Sequence, residues 1–388
     1  MTTYQSPLKI GITGQAGFIG THLFNTLGLY PERFERIPFE DVYFAKEDLL
    51  REFVRSCDVI IHLAALNRHN DPKEIYNTNL RLVKQLIKAC ESTNSKPHIL
   101  FSSSTQEERD NSYGKSKKEG RELFEKWAVK NNACFTGLVI PNVYGPFGNP
   151  YYNSFIATFC YQLTHGETPT IQLDNQVKLI YINELIKEII NLIEWKQSNQ
   201  TEGVPVENIY LKETFEGKVS EVLSILEKYK KQYLQNGILP DLTNKFNKNL
   251  FNTFACYIDH KNFFPFLYKK NTDDRGSFVE LIKLDSGGQI SFSTTKIGIT
   301  RGNHFHTRKA ERFTVIKGKA LIELRRIGTK EVLSFELDGD YPSFVDMPIW
   351  FTHNIRNIGN DELYTIFWIN EFYDKEDTDT FFEVVKGV

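Results

Sequence analysis

The chain has 388 residues, 40% of them hydrophobic and 25% charged, which is too long for one average domain and gives room for two or three real cores. A formal net charge of −2 gives no ground for general affinity for nucleic acid or an anionic membrane. Five scattered cysteines lack metal or redox spacing, the N-terminus lacks a basic region followed by an apolar core, and no apolar run reaches spanning length, so a soluble cytoplasmic protein with no membrane or nucleic-acid partner is expected.

Residues 8–12 read as a short apolar strand, and Phe18–Leu27 as a helix with Phe18, Ile19, Leu23 and Phe24 along one stripe. Between them runs Gly11-Ile12-Thr13-Gly14-Gln15-Ala16-Gly17-Phe18-Ile19-Gly20. A strand that turns into a helix through glycines suits a dinucleotide phosphate site, because the backbone can approach the pyrophosphate and the helix offers free N–H groups. The spacing is Gly14-x-x-Gly17-x-x-Gly20, not the more usual Gly-x-Gly-x-x-Gly. Phe34–Ile37 is expected as the second strand, and 58–65 as a buried parallel strand. A helix over 75–90, a strand over 98–101 running into Ser102-Ser103-Ser104, a long helix over 113–131 and a strand over Phe135–Ile140 follow. Repeated strand–helix units predict an α/β, Rossmann-like doubly wound parallel sheet.

The pattern is mixed from 150 to 196, and Val219–Tyr229 is amphipathic at helical spacing. Residues 236–248, rich in Asn, Gly, Pro and Lys, read as surface connection. Beyond 258 the texture changes to short β-rich runs over 277–284, 289–296, 312–316, 320–325 and 364–368, with turn residues between. Closely spaced strands predict a small all-β sandwich or barrel. The expected division is 1–255 and 256–388.

Two constellations carry chemistry. Tyr113 and Lys117 lie four apart on one helix face, and the serines end the preceding strand, so all three types converge at the carboxyl edge of the sheet with the glycine loop. A nearby ammonium would lower the phenol's pKa, so that Tyr113 can exchange a proton, and a serine hydroxyl can hold a carbonyl oxygen on which charge builds. In the C-terminal part, His304-Phe305-His306 is followed by Glu311 and later by His353, and these are the only three His after His260. Three imidazoles and a carboxylate suit Zn first, then Ni, Fe or Mn.

Thr13-Gly14-x-x-Gly17-Phe18-Ile19-Gly20, Asp58…His62-Leu63-Ala64-Ala65, Tyr113-x-x-x-Lys117 and Pro141-Asn142-Val143-Tyr144-Gly145-Pro146 resemble, in order, the extended short-chain dehydrogenase/reductase family of nucleotide-sugar enzymes. That resemblance implies NAD(P) contacts from Gly11, Gly14, Gly17, Phe18, Ile19, Gly20, Leu63, Ala64, Ala65, Tyr113, Lys117, Pro141, Asn142 and Val143. It makes Ser104 the catalytic serine, with Ser103 its runner-up, and brings Asn142 and Asn153 to the sugar nucleotide. Tyr113 follows Ser104 by only nine positions, far fewer than in most members, so the intervening loop must be cut back. For the ribose, Arg33 and Arg36 lie near the second strand while Glu40 and Asp41 follow at once; NADPH is favoured, with Arg36 at its 2′-phosphate.

His304-x-His306-x(4)-Glu311 with His353 on a later segment resembles the cupin pattern. Asp274-Arg275-Gly276-Ser277-Phe278 and Arg301-Gly302-x-His304 also resemble the nucleotide-sugar 3,5-epimerases, in which the His is a base and no metal is held. His304 is therefore open as ligand or base, and Arg301 is a substrate candidate. The two parts in this order are similar to a family of bifunctional capsular polysaccharide enzymes over nearly the whole chain. That implies a homodimer with a Zn-binding cupin that epimerises C3 of a UDP-4-keto-6-deoxy-N-acetylhexosamine and a reductase that then reduces C4 with NADPH. The rival readings are an NAD-dependent epimerase or dehydratase, and a cupin that only binds or dimerises.

Overall fold

In the computed structural model, residues 6–198, 206–274, 276–279, 281–284 and 287–386 are described. The chain forms two compact units: residues 1–144, 148–155 and 175–217 in the first, and 145–147, 156–174 and 218–388 in the second.

The first unit holds the expected parallel sheet. Strands β1 (Leu8–Thr13), β2 (Phe34–Ile37), β3 (Val59–His62), β4 (His98–Ser104) and β5 (Phe135–Ile140) join Val206–Tyr210 in the order β2-β1-β3-β4-β5 with Val206–Tyr210 at the far edge. Every pairing is parallel. The order reverses at β1, so the crevice for a ligand opens between the carboxyl ends of β1 and β3. Helices α1 (Phe18–Leu27), α2 (Glu47–Ser56), α3 (Pro72–Thr93) and α4 (Ser112–Asn131) make the crossovers. Ile60, Val83, Ile99, Phe101, Phe124 and Phe135 pack into one buried cluster between strands and helices. Helix α3 is longer than the apolar stripe over 75–90, because its start is written in polar residues. The Asp71 side chain accepts from the Lys73 N–H with Pro72 in the first turn, and Asn94 ends the helix in the left-handed region.

The second unit is all-β where the sequence changes texture. One antiparallel sheet runs Phe266–Leu267, Ser343–Met347, Glu311–Lys317, Leu363–Ile369, Gln289–Thr295, and the other Val332–Asp338, Lys319–Arg326, Phe351–Asn357, Thr300–Phe305, Phe381–Phe382. Val315, Phe344, Val345 and Leu363 of one sheet meet Ile322, Leu324, Phe335 and Ile355 of the other in a single core. The expectation for 236–248 is corrected. Leu239 and Leu242 are buried, and Asn244 accepts from the N–H groups of Phe246 and Asn247 to start a helix over Lys245–Ala255. Its polar residues are turn and cap signals, not a surface loop.

This helical stretch is tied to the sandwich. Arg312, fully buried, donates to both carboxylate oxygens of Asp346 (2.8 and 2.9 Å) and to the Gly237 carbonyl (2.8 Å), with the Phe344 ring 3.6 Å away. The Tyr233 hydroxyl donates to the same carboxylate. The textural boundary at 255/256 falls at the end of the helix Lys245–Ala255, while the compact unit reaches back to Lys218. Among the described residues no helix is long and apolar enough to cross a membrane.

Candidate active site and metal centre

The crevice is fastened by two residues at strand ends. Thr13 Oγ1 and His62 Nδ1 lie 2.7 Å apart, both fully buried, and the Leu63 N–H donates to the Thr13 carbonyl at 3.1 Å. This sets Leu63, Ala64 and Ala65 beside the glycine loop. His62 is stacked on Phe101, and burial pushes its pKa down to about 3, so it is neutral and structural. Gly14 adopts φ +72°, and a Cβ there would stand 2.8 Å from the Ala64 nitrogen. A Cβ on Gly20 would stand 2.3 Å from the Gly14 carbonyl oxygen. No side chain caps α1 at the exposed Gly17, so N–H groups of its first turn remain for an anion. The cradle fits a dinucleotide pyrophosphate, with Phe18 and Ile19 half-buried at its floor.

Gly14→Ala should therefore lose about 1–2 kcal/mol to the left-handed backbone alone, before the clash with Ala64. A lowered melting temperature with weakened dinucleotide binding by fluorescence titration is the expected result; unchanged binding would remove the loop from the cofactor site.

Two cofactor expectations are corrected. Gly11 lies buried inside β1, where a Cβ would meet the Phe53 ring at 2.4 Å and Cys57 Sγ at 2.6 Å, so it makes room for α2. Arg36 does not reach toward the phosphate end of α1. Its guanidinium lies 4.3 Å from the Phe24 ring centroid and donates to the Phe24 carbonyl (3.1 Å), at the opposite end of that helix. Arg33 pairs with Glu194. The sequence ground for preferring NADPH over NADH goes with these two arginines.

At the same edge stand α4 and the serines. The short link from Ser104 is a single 3₁₀ turn, Thr105–Glu108, folded so tightly on α4 that a Cβ on Gly114 would lie 2.0 Å from the Gln106 oxygen. Asn111 caps α4 by accepting from the Gly114 N–H at 2.7 Å, which fixes the first turn and Tyr113. Lys117 is buried and donates to Ser102 Oγ at 3.3 Å, with its ammonium 5.6 Å from the Tyr113 ring centroid. Burial pushes Lys117 down to about 7, and Glu107 opposes the shift. The half-buried Tyr113 is pushed up to about 12, by burial first and by Tyr152 second. The expectation that Lys117 holds the phenol's pKa low is not met here: burial and then Tyr152 push it up. A phenol that keeps its proton at neutral pH suits a proton donor.

The serines divide their work. Ser103 is buried and donates to Glu107, which is itself held by Arg121 through a pair at 2.8 Å. Ser104 accepts from the Gln106 N–H at 3.2 Å, and its own hydrogen has no acceptor among the described residues. Sequence reasoning passed over Ser102 and Glu107, whose contacts with Lys117 come from the turn of the chain and not from a motif. It also missed the buried Asn79, which bonds the Leu66 N–H at 2.7 Å and Ser116 Oγ at 3.0 Å. Pro141 is buried, Val143 half-buried, and Asn142 exposed on a short strand paired with Leu179; Asn153 is exposed in the turn before Phe155–Thr164.

In the second unit the four predicted ligands converge, with ligand atoms all within 4.8 Å of one another. His304 and His353 face each other across paired strands, ring centroids 4.6 Å apart. A bulge at Asn303, φ +60°, shifts the register so that His304 stands opposite His353. Glu311 comes from the other sheet, its Oε2 lying 3.0 Å from His353 Nε2 and 3.4 Å from His306 Nε2. His306 Nδ1 is bonded to the Asp379 carbonyl (2.5 Å) and His353 Nδ1 to the Phe351 carbonyl (3.2 Å). These two imidazoles thus spend Nδ1 on the backbone and turn Nε2 toward Glu311. His306 Nε2, His353 Nε2 and Glu311 Oε2 are buried with no hydrogen-bond partner outside the cluster. Buried polar atoms that face one another with no other partner fit a cation at their centre. Burial, then His353 and His306, pushes His304 down to about 4, so it offers a neutral imidazole. Arg301 is exposed and donates weakly to the Thr294 carbonyl (3.5 Å), while Arg275 of the quoted motif lies outside the described residues.

A glycine-looped parallel sheet with a Tyr-x-x-x-Lys helix over its carboxyl edge, followed by an antiparallel sandwich with an inward His/Glu cluster, defines a two-part enzyme built on a short-chain dehydrogenase/reductase domain. The chain belongs to the NAD dependent epimerase/dehydratase family, whose signature spans residues 10–206, and a polysaccharide biosynthesis C-terminal domain matches 271–381. It is 32% identical over 380 residues to a UDP-2-acetamido-2,6-beta-L-arabino-hexul-4-ose reductase of Pseudomonas aeruginosa, covering 96% of this chain and 98% of that one. The crystal structure of the capsular polysaccharide assembling protein CapF from Staphylococcus aureus matches at TM-score 0.61 and 33% identity, covering 97% of this chain and all of that one. CapF with the inhibitor 3-isopropenyl-tropolone matches at TM-score 0.57 and 30% identity, covering 97% of this chain and 100% of that one. RMD from Pseudomonas aeruginosa complexed with NADPH, at 18% identity, TM-score 0.51, 58% of this chain and 84% of that one, shares the fold alone.

Proposed function

We propose that this chain is a bifunctional nucleotide-sugar enzyme of capsular or O-antigen polysaccharide synthesis, acting as a cytoplasmic homodimer. Residues 256–388 epimerise C3 of a UDP-4-keto-6-deoxy-N-acetylhexosamine, and residues 1–255 reduce its C4 ketone to give UDP-N-acetyl-6-deoxy-L-talosamine. The observation that carries the reading is the pairing of Tyr113 and Lys117 on α4 beside the glycine cradle, in a chain matched end to end by a UDP-sugar 4-ketone reductase.

When bound, the reduced nicotinamide, NADPH by the family resemblance, supplies a hydride to C4. Tyr113 gives its proton to the C4 oxygen and regains one from solvent, so ketone, hydride and proton balance to the alcohol. Ser104 donates to the same oxygen as charge builds there. Lys117 steadies this edge of the site through its bond to Ser102. In the sandwich, His304, His306, Glu311 and His353 would hold Zn, whose charge stabilises an enolate or the fold around it. Epimerisation needs an acid/base pair acting α to a carbonyl. The C4 ketone is what acidifies the C3 hydrogen, so epimerisation precedes the reduction that removes the ketone.

The test is a paired assay on the 4-keto sugar in deuterated buffer, reading dinucleotide absorbance together with deuterium at C3 by mass spectrometry, with NADPH and NADH in parallel. Deuterium uptake without dinucleotide, followed by oxidation once it is added, is expected. Oxidation without uptake would leave a reductase with an accessory sandwich. Silence in both channels would refute the substrate.

A further inference from the structure

We propose that Asp379 is the positioning residue of the His304/His306/Glu311/His353 centre, fixing His306 and the turn after it; this rests on the reading of that cluster as a metal site. Asp379 is buried and adopts φ +45°, a left-handed conformation that Asp tolerates better than most residues. That backbone turns one residue toward His306 in two ways. Its carbonyl accepts from His306 Nδ1 at 2.5 Å. Its carboxylate meanwhile accepts from three consecutive backbone N–H groups, of Thr307 (3.1 Å), Arg308 (2.9 Å) and Lys309 (3.0 Å), and from the Thr307 hydroxyl (2.6 Å).

The consequence for the imidazole is direct. A proton held on Nδ1 by the carbonyl leaves the Nε2 lone pair facing Glu311 and His353. The three amides are those of the turn that links His306 to Glu311, so the carboxylate also sets the spacing between those two ligands. Two residues further on, Phe381 and Phe382 pair with Phe305 and His304. One short C-terminal segment therefore holds both histidines of the His304-x-His306 pair.

Asp379→Asn is the discriminating change. One carboxylate oxygen takes the Thr307 hydroxyl, the other takes the Arg308 and Lys309 N–H groups, and the Thr307 N–H lies within reach of both, so an amide in either orientation sets its NH₂ against at least one backbone N–H and gives up the charge that strengthens every bond. The full chain would be loaded with Zn²⁺ and titrated with a chromophoric chelator, and the Co²⁺-substituted protein read by its visible absorption. About 10–100-fold weaker metal binding and an altered Co²⁺ band are expected. Asp377→Asn is the control, since Asp377 carries a nearby exposed charge paired with Arg308; it should leave both signals unchanged. Thr307→Val, which removes only the hydroxyl contact, should weaken binding several-fold and serves if Asp379→Asn does not fold by circular dichroism. Parental affinity and spectrum in Asp379→Asn, or an equal loss in Asp377→Asn, would overturn the positioning role. A parent chain that binds no metal would instead overturn the metal reading, and the proposal with it.

Discussion

Tyr113→Phe is expected to lower dinucleotide oxidation by 10²–10⁴-fold while deuterium exchange at C3 of the sugar continues at its parental rate. The change removes one oxygen and little else. Tyr113 sits on a turn held by Asn111, and its ring keeps its place next to Lys117, so the sheet and the cradle stay as they are. What is lost is the proton that must reach the C4 oxygen as hydride arrives. Burial pushes the phenol up to about 12, so the proton is in place at neutral pH. Loss of exchange together with oxidation would refute the division of labour between the two units.

His353→Ala is expected to lower bound metal to well under half an equivalent per chain, read by atomic emission after gel filtration. His353 is almost fully buried, and it is the ligand in nearest contact with Glu311 (3.0 Å). Its removal leaves that carboxylate among two remaining imidazoles, with one donor fewer for any cation. Dinucleotide binding should be unchanged, since the cradle of Gly14, Gly17 and Gly20 belongs to the other unit. Metal content equal to the parent would strike His353 from the ligand set.

The parallel sheet was readable because parallel strands buried on both faces leave continuous apolar runs, and because Gly14 and Gly20 stand where a side chain has no space. The His/Glu quartet was readable from scarcity, as the C-terminal third spends its three late histidines on one point. What the sequence hid was direction. Arg36 is near the right strand, yet spacing is silent on its guanidinium, which turns to the last turn of α1. The same holds for Tyr113 and Lys117, where spacing gave proximity but not the competition between charge and desolvation. Asp379 was invisible, because a single acidic residue far along the chain acquires meaning only when three amides close around it.

The interleaving of the two compact units constrains how such an enzyme can be taken apart. The chain passes from one unit to the other after residues 144, 147, 155, 174 and 217, so no single cut releases two intact halves. Severing at 255/256 would strip the buried Arg312–Asp346 pair of the Tyr233 hydroxyl and of the Gly237 carbonyl, leaving a buried ion pair short of two of its hydrogen bonds. Neither compact unit is then a cassette that recombination at one point could lend to another gene. On the proposed function, epimerisation and reduction would be inherited, expressed and lost together, which would keep the two steps in fixed one-to-one proportion without any regulation of their relative amounts.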